Sequence, residues 1–329
     1  MDQRTRAAVA AVGIVGLFLV VQVGALALVE PFKAAGYQPV EDPGDPTNSL
    51  AYVAAILVIT ALLLGAIRLG LDRALRGFIV FAGAYISLFV FQIVLPAGSL
   101  PVVGGFHLLA WAAAAVLGLA LWVYPEWYVI DAAGAVMGVG AAGLFGITFG
   151  VLPALLLLAV LAVYDAISVY GTEHMLALAS GVMELRVPII LVIPLSLSYS
   201  FLDADLPTPD EEGEGTQAGD ELAADPLERE ALFIGLGDAI IPAVLVASAG
   251  FFVTDVPGVE VAGLSFTWPV LGAMVGTVVG LLALLRMVFA GRAHAGLPLL
   301  NGGAIGGYLL GALASGLSLT QALGVGGLL

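Results

Sequence analysis

Three carboxylates stand inside or beside apolar sequence: Asp131, Asp165 and Asp238. Asp131 follows Glu126, Trp127 and Tyr128, a mixture expected where a helix starts at a membrane surface, so it reads as an interfacial or helix-start acid. Asp165 and Asp238 have no such setting. An Asp near the bilayer centre costs about 2.5–3.5 kcal/mol on insertion scales, so an acid retained there reads as functional. Two such acids in contact cannot both ionise in a low dielectric and must share one proton. One is then a base and the other an acid, the arrangement of general acid–base chemistry.

The neighbours of the two acids suit that reading. Asp165 follows Tyr164, and Asp238 ends the string Gly235-Leu236-Gly237-Asp238. Glycines before a reactive acid permit close backbone approach or a loosened helix. Other chemistries find no residues to perform them. The chain has no cysteine, which removes thiol nucleophiles, Cys-ligated zinc and iron–sulfur clusters. His107, His174 and His294 are scattered without the His-Glu-x-x-His spacing of a zinc site. Gly263-Leu264-Ser265 lacks the second glycine of a nucleophile elbow, and no phosphate-binding Gly-rich Lys motif occurs.

The elements that must position these acids follow from composition. Of 329 residues, 61% are hydrophobic and 11% charged, with a mean hydropathy of +1.09, which excludes a water-soluble globule. Ten Lys and Arg against 25 Asp and Glu give a net charge of −15, so nucleic acid is excluded as a partner. Runs near the 20 residues needed to cross a bilayer fall at roughly 7–29, 50–67, 77–95, 106–124, 129–148, 150–170, 231–252, 267–290 and 297–316. The prediction is an all-α, polytopic membrane protein with about nine transmembrane helices. With a cytoplasmic N-terminus, Arg4, Arg6, Arg68, Arg73, Arg76, Arg186, Arg229, Arg286 and Arg292 lie inside and only Lys33 outside. The C-terminus is then extracellular, and the setting is the cell membrane.

In this layout Asp165 lies about five residues above the cytoplasmic end of span six, and Asp238 about seven residues into span seven. Both carboxylates are therefore expected roughly 8–11 Å deep from the same face, where they can meet. The chain divides into spans one to six (1–170), a cytoplasmic loop (171–230) and spans seven to nine (231–329). Val187 to Pro194 is too short to cross a bilayer and rich in β-branched residues, so it is expected as an interfacial segment or exposed strand, its prolines arguing against a central one. As an exposed edge, Val187 to Ile193 would receive an unwound substrate as an added strand. Asp203 to Glu230 holds eleven of the 25 acids and reads as a solvated linker. Glycines at 272, 276 and 280, and again at 303, 307 and 311, predict close packing of spans eight and nine.

Tyr164-Asp165, Gly235-Leu236-Gly237-Asp238 and Leu297-Pro298 at the start of span nine resemble the presenilin and signal peptide peptidase class of intramembrane aspartyl (GxGD) proteases, most closely its archaeal presenilin-like members. The family carries Pro-Ala-Leu-Pro at that last place, and Ala295-Gly296-Leu297-Pro298 keeps the final two letters; a register using Pro298-Leu299-Leu300 is the alternative. The resemblance implies a presenilin-like fold and orientation, catalytic Asp165 and Asp238, and substrate-positioning roles for Tyr164, Gly235, Leu236, Gly237, Gly296, Leu297 and Pro298. It implies no metal, no organic cofactor, and transmembrane proteins as substrates in a lipid bilayer. The activity expected is an intramembrane aspartyl endopeptidase. A proton- or ion-coupled transporter would also use buried acids and glycine-broken helices, and a prepilin-type peptidase would share Gly-x-Gly-Asp. A single Lys among ten basic residues, with acidic loops, is similar to proteins of halophilic organisms.

Overall fold

Lipid offers the backbone no hydrogen-bond partner, so a chain this apolar must close its amide bonds within helices. The computed structural model describes residues 3–96, 102–103, 106–171, 189–195, 199–202, 231–290 and 295–325. Ten helices are described: α1 (Gln3–Ala34), α2 (Thr47–Arg68), α3 (Asp72–Val94), α4 (Leu108–Val123), α5 (Trp127–Thr148), α6 (Val151–Gly171), α7 (Leu236–Phe252), α8 (Trp268–Phe289), α9 (Gly296–Ala314) and α10 (Leu319–Ala322). Each of the nine predicted runs overlaps one of the first nine. Seven are long and apolar enough to cross a membrane, while α4 and α7 are apolar helices of 16 and 17 residues. The chain is a multi-pass membrane protein.

Two predicted spans are corrected at their starts. Phe106 and His107 pair as β2 (Phe106–His107) with β1 (Val102–Val103), so the fourth helix begins only at Leu108. The larger correction concerns 231–252. Its first five residues form β4 (Ala231–Gly235), antiparallel to β3 (Ile190–Pro194) with Val192 opposite Phe233, and the helix starts at Leu236. A continuous apolar run does not distinguish strand from helix by periodicity. The choice falls on strand because the segment before it supplies a partner as far as the Ile189 carbonyl, which accepts the Leu236 amide at 2.7 Å. Pro194 ends β3 opposite Ala231, where its missing N–H costs little. A third ribbon, β5 (Gly258–Val261) with β6 (Leu264–Thr267), joins α7 to α8. Val187, Pro188, His174, His294 and the acidic linker Asp203–Glu230 lie outside the described residues.

Helices α5 and α6 separate where expected. The Gly150 amide donates to the Pro43 carbonyl at 2.7 Å, and a Cβ at Gly150 would lie 2.9 Å from that oxygen. The main core joins α1, α5, α6, α7, α8 and α9 through buried side chains such as Phe18, Phe32, Leu158, Leu245 and Tyr308. A second cluster, with Leu75, Leu121, Ile130, Val192 and Phe201, seats the β3–β4 ribbon on α3, α4 and α5. Helix α2 stands apart, with Ser49 its one buried residue, held to α6 by the Ser49 hydroxyl donating to the Pro153 carbonyl at 2.6 Å.

The packing of α8 on α9 matches the glycine spacing. A Cβ at Gly272, Gly276 or Gly280 would collide with the carbonyl of Gly307, Gly303 or Leu299, and the reverse collisions hold at Gly303 and Gly307. Backbone therefore lies directly on backbone. Beyond α9 the chain turns back: α10 starts with a Ser318–Gln321 capping box, and the buried Tyr308 hydroxyl donates to the Ala322 carbonyl at 2.8 Å.

Candidate active site

The two apolar-span acids meet at the first turn of α9. Asp165, on α6 six residues before its end, is 7% exposed. Its Oδ2 accepts the Leu297 amide at 3.0 Å, and the Gly296 amide also faces it. These are the unpaired N–H groups that open a helix, a natural seat for a carboxylate. Pro298 follows as the third residue of α9, where no N–H is needed, so the proline does not cost the turn a bond.

Asp238 arrives from the other side. It is the third residue of α7, not about seven residues into a helix as expected, because the residues before Leu236 run as strand. A Cβ on Gly296 would lie 3.3 Å from Asp238 Oδ2, and one on Gly235 would lie 3.4 Å from the same atom. Asp165 thus holds the amides at the head of α9 while Asp238 packs against its first Cα. Two carboxylates facing one helix start can hold a water and pass a proton between them.

The sequence profile described as "Signal-peptide peptidase, presenilin aspartyl protease" matches residues 15–317. The chain belongs to this family. Two solved structures of a presenilin family intramembrane aspartate protease, in C222 and P2 space groups, are similar to it, each at 34% identity over 92% of this chain. They match over 99% and 97% of their own chains with TM-scores of 0.64 and 0.60. Comparison with curated proteins gives no match. As a family member the chain is an intramembrane aspartyl protease, and these matches lend nothing to the transporter alternative.

Within this presenilin-family protease, not every residue singled out in the sequence lies at the acid pair. Tyr164 is 41% exposed on the side of α6 away from its buried neighbour. Leu236 is buried toward α5, with its Cδ1 3.6 Å from where a Cβ on Gly134 would sit. Gly237 faces open space. Gly235, Gly296 and Leu297 are the ones that adjoin the pair, and Pro298 follows them in the first turn of α9. Among the described residues no group of three or more His, Asp or Glu is placed to hold a metal.

Three polar residues that sequence reading passed over brace the surroundings. One turn beyond Leu297, the buried Asn301 side-chain amide donates to the Leu158 carbonyl at 2.9 Å, tying α9 to α6. The Tyr170 hydroxyl accepts the Ala295 amide at 3.4 Å. Glu126, at the head of α5, accepts the Ser200 hydroxyl at 2.6 Å and the Phe201 amide at 3.0 Å. Only Glu126 left a sequence signal, as an acid next to Trp127 where a helix starts, since the partners lie far along the chain.

Proposed function

We propose that the protease is an endopeptidase that cuts transmembrane helices with a water activated between Asp165 and Asp238. The observation that carries this reading is the convergence of both carboxylates on the first turn of α9. The ionised member takes a proton from water as the oxygen bonds to the scissile carbonyl carbon, and the protonated member gives its proton to the carbonyl oxygen. The gem-diol then collapses: the C–N bond breaks, a carboxyl passes a proton to the departing amine, and an acid and an amine are released.

A helical substrate hides its carbonyls in its own hydrogen bonds, so the segment to be cut must first unwind. Its freed backbone groups need partners, and a strand edge provides them. The Leu236 to Ile189 bond fixes the ladder's phase: Leu191 with Ile234 and Ile193 with Leu232 exchange bonds, while the groups of Val192, Phe233 and Gly235 point outward. The expected acceptor, Val187 to Ile193, has its described part paired with β4 on one side and bonded to Asp131 through Val192 on the other, so the added strand is placed instead on the outer edge of β4 at Phe233 and Gly235, leading directly to Asp238. Gly-x-Gly-Asp then reads as strand end, helix start and acid in one string.

The decisive experiment is incubation of the purified protein, in detergent and in vesicles, with a labelled transmembrane peptide. Internal cleavage is expected; a wild type that cuts no such peptide overturns the reading. The same proposal places the N-terminus, residues 171–230 and the ribbon on the cytoplasmic side of the cell membrane, linking the helical blocks 1–170 and 231–329. Reporter fusions after Arg76 and within 203–230 should therefore report cytoplasm, and a fusion at Leu329 should report the exterior. A cytoplasmic C-terminus overturns this layout. The acidic loops suit a high-salt archaeal setting, where cations screen the net charge of −15.

A further inference from the structure

The third acid, Asp131, is not interfacial decoration. It lies one turn into α5, and its Oδ1 accepts the Val192 amide of β3 at 2.7 Å. That amide is one of the outward-pointing groups of the ladder, so the bond leaves the pairing with β4 intact and occupies the strand's other edge. One turn on, Gly134 continues the seat: a Cβ there would lie 3.0 Å from Leu191 Cδ2. Val192 itself is fully buried beside Ile130 and Ala133. From Val192 the connection to Asp238 is short and rigid, crossing the ladder to Phe233 and running through Gly235 into the first turn of α7.

We infer that Asp131 is a positioning residue that makes the β3–β4 ribbon one-sided and sets its register relative to the acid pair, so that an added substrate strand presents one peptide bond to Asp165 and Asp238. This rests on the protease reading above and deepens it. A ribbon with both edges open could receive a strand on either side, and a ribbon unpinned from α5 could slide, each change moving a different substrate bond into reach. Helix α5 closes one edge with a carboxylate, and Glu126 holds the chain that follows β3 at Ser200 and Phe201.

The test uses the full-length protein, a labelled transmembrane peptide and mass spectrometry of the products. Asp131→Ala leaves a buried amide without an acceptor and should lower kcat/KM about tenfold, with the cut spread over neighbouring peptide bonds. Asp131→Asn keeps an acceptor oxygen and should retain the wild-type cut site with a rate within about twofold. Val192→Pro removes the same bond from the other end. Because that N–H points away from β4, proline there deletes no ladder bond, and it should reproduce the spread of cut sites. The double variant Asp131→Ala with Val192→Pro should be no worse than either single one. If Asp131→Ala does not fold, Val192→Pro decides alone. A wild-type cut pattern and rate in Val192→Pro, or Asp131→Asn as damaged as Asp131→Ala, overturns the assignment. A wild type that cuts nothing refutes the protease reading instead, and the two failures are thereby distinct.

Discussion

Replacing Asp165 or Asp238 by Asn is expected to remove peptide cleavage, each single variant losing at least about 10²–10⁴-fold in rate. The amide keeps size and polarity, and at residue 165 it can still accept the Leu297 amide that holds α9. What it lacks is an exchangeable carboxyl proton. The protein should therefore fold, since a neutral amide is cheaper to bury than a carboxylate. The double variant should be hardly worse than either single one, because groups that act as one unit are not additive. A pair sharing one proton also requires a bell-shaped pH profile of cleavage, since activity needs one carboxyl protonated and one ionised. Both limbs should vanish together in either variant. Substantial hydrolysis by purified Asp165→Asn or Asp238→Asn would remove the pair from the mechanism even where the wild type is a protease.

The second large effect is expected away from the acids. Gly307→Ala places a methyl against the Gly272 carbonyl, and only movement of the two backbones apart can relieve it. Overpacking of this kind costs about 1–3 kcal/mol. Helix α9 would shift as a rod, and its first turn, which holds Asp165 through Leu297, would shift with it. Thermal stability and cleavage should both fall, and cleavage should fall even in the folded fraction. Gly302→Ala is the control: a Cβ there meets nothing within 4 Å, so neither property should drop. Equal tolerance of the two substitutions would contradict the packing described.

Much of this architecture was readable from patterns local in sequence. Apolar run length located the first nine of the ten described helices, seven of them long and apolar enough to cross a membrane, because lipid imposes length and polarity on each span separately. Glycine spacing located the α8–α9 contact for the same reason. The acid pair was readable because a carboxylate in lipid is costly enough to stand out. What stayed hidden depended on distant partners. Ala231 to Ile234 is as apolar as a helix, and only the arrival of Ile190 to Pro194 some forty residues earlier makes it a strand. Asp131 looked like a surface acid because the amide it binds is Val192, 61 positions away. Asn301 gave no signal, since a lone amide in an apolar helix does not name the Leu158 carbonyl as its partner. Tyr164 adjoins Asp165 in sequence yet faces outward, because neighbouring residues on a helix point about 100° apart.

The folded-back end of the chain bears on a hazard that any hydrolase embedded in a membrane must solve. Water has to reach the carboxylates, and a water-filled path through the whole bundle would also conduct protons and salt. The acids sit near the ends of α6 and α7 that face the ribbon, whereas the far end of α9 is stoppered by Tyr308 and α10, with Ala322 fully buried. Between them lie Leu300, Ala304 and Ala312, all fully buried. Hydration can then enter from one side and stop, so the protein can consume water in the bilayer while preserving the insulation on which the cell's ion gradients depend.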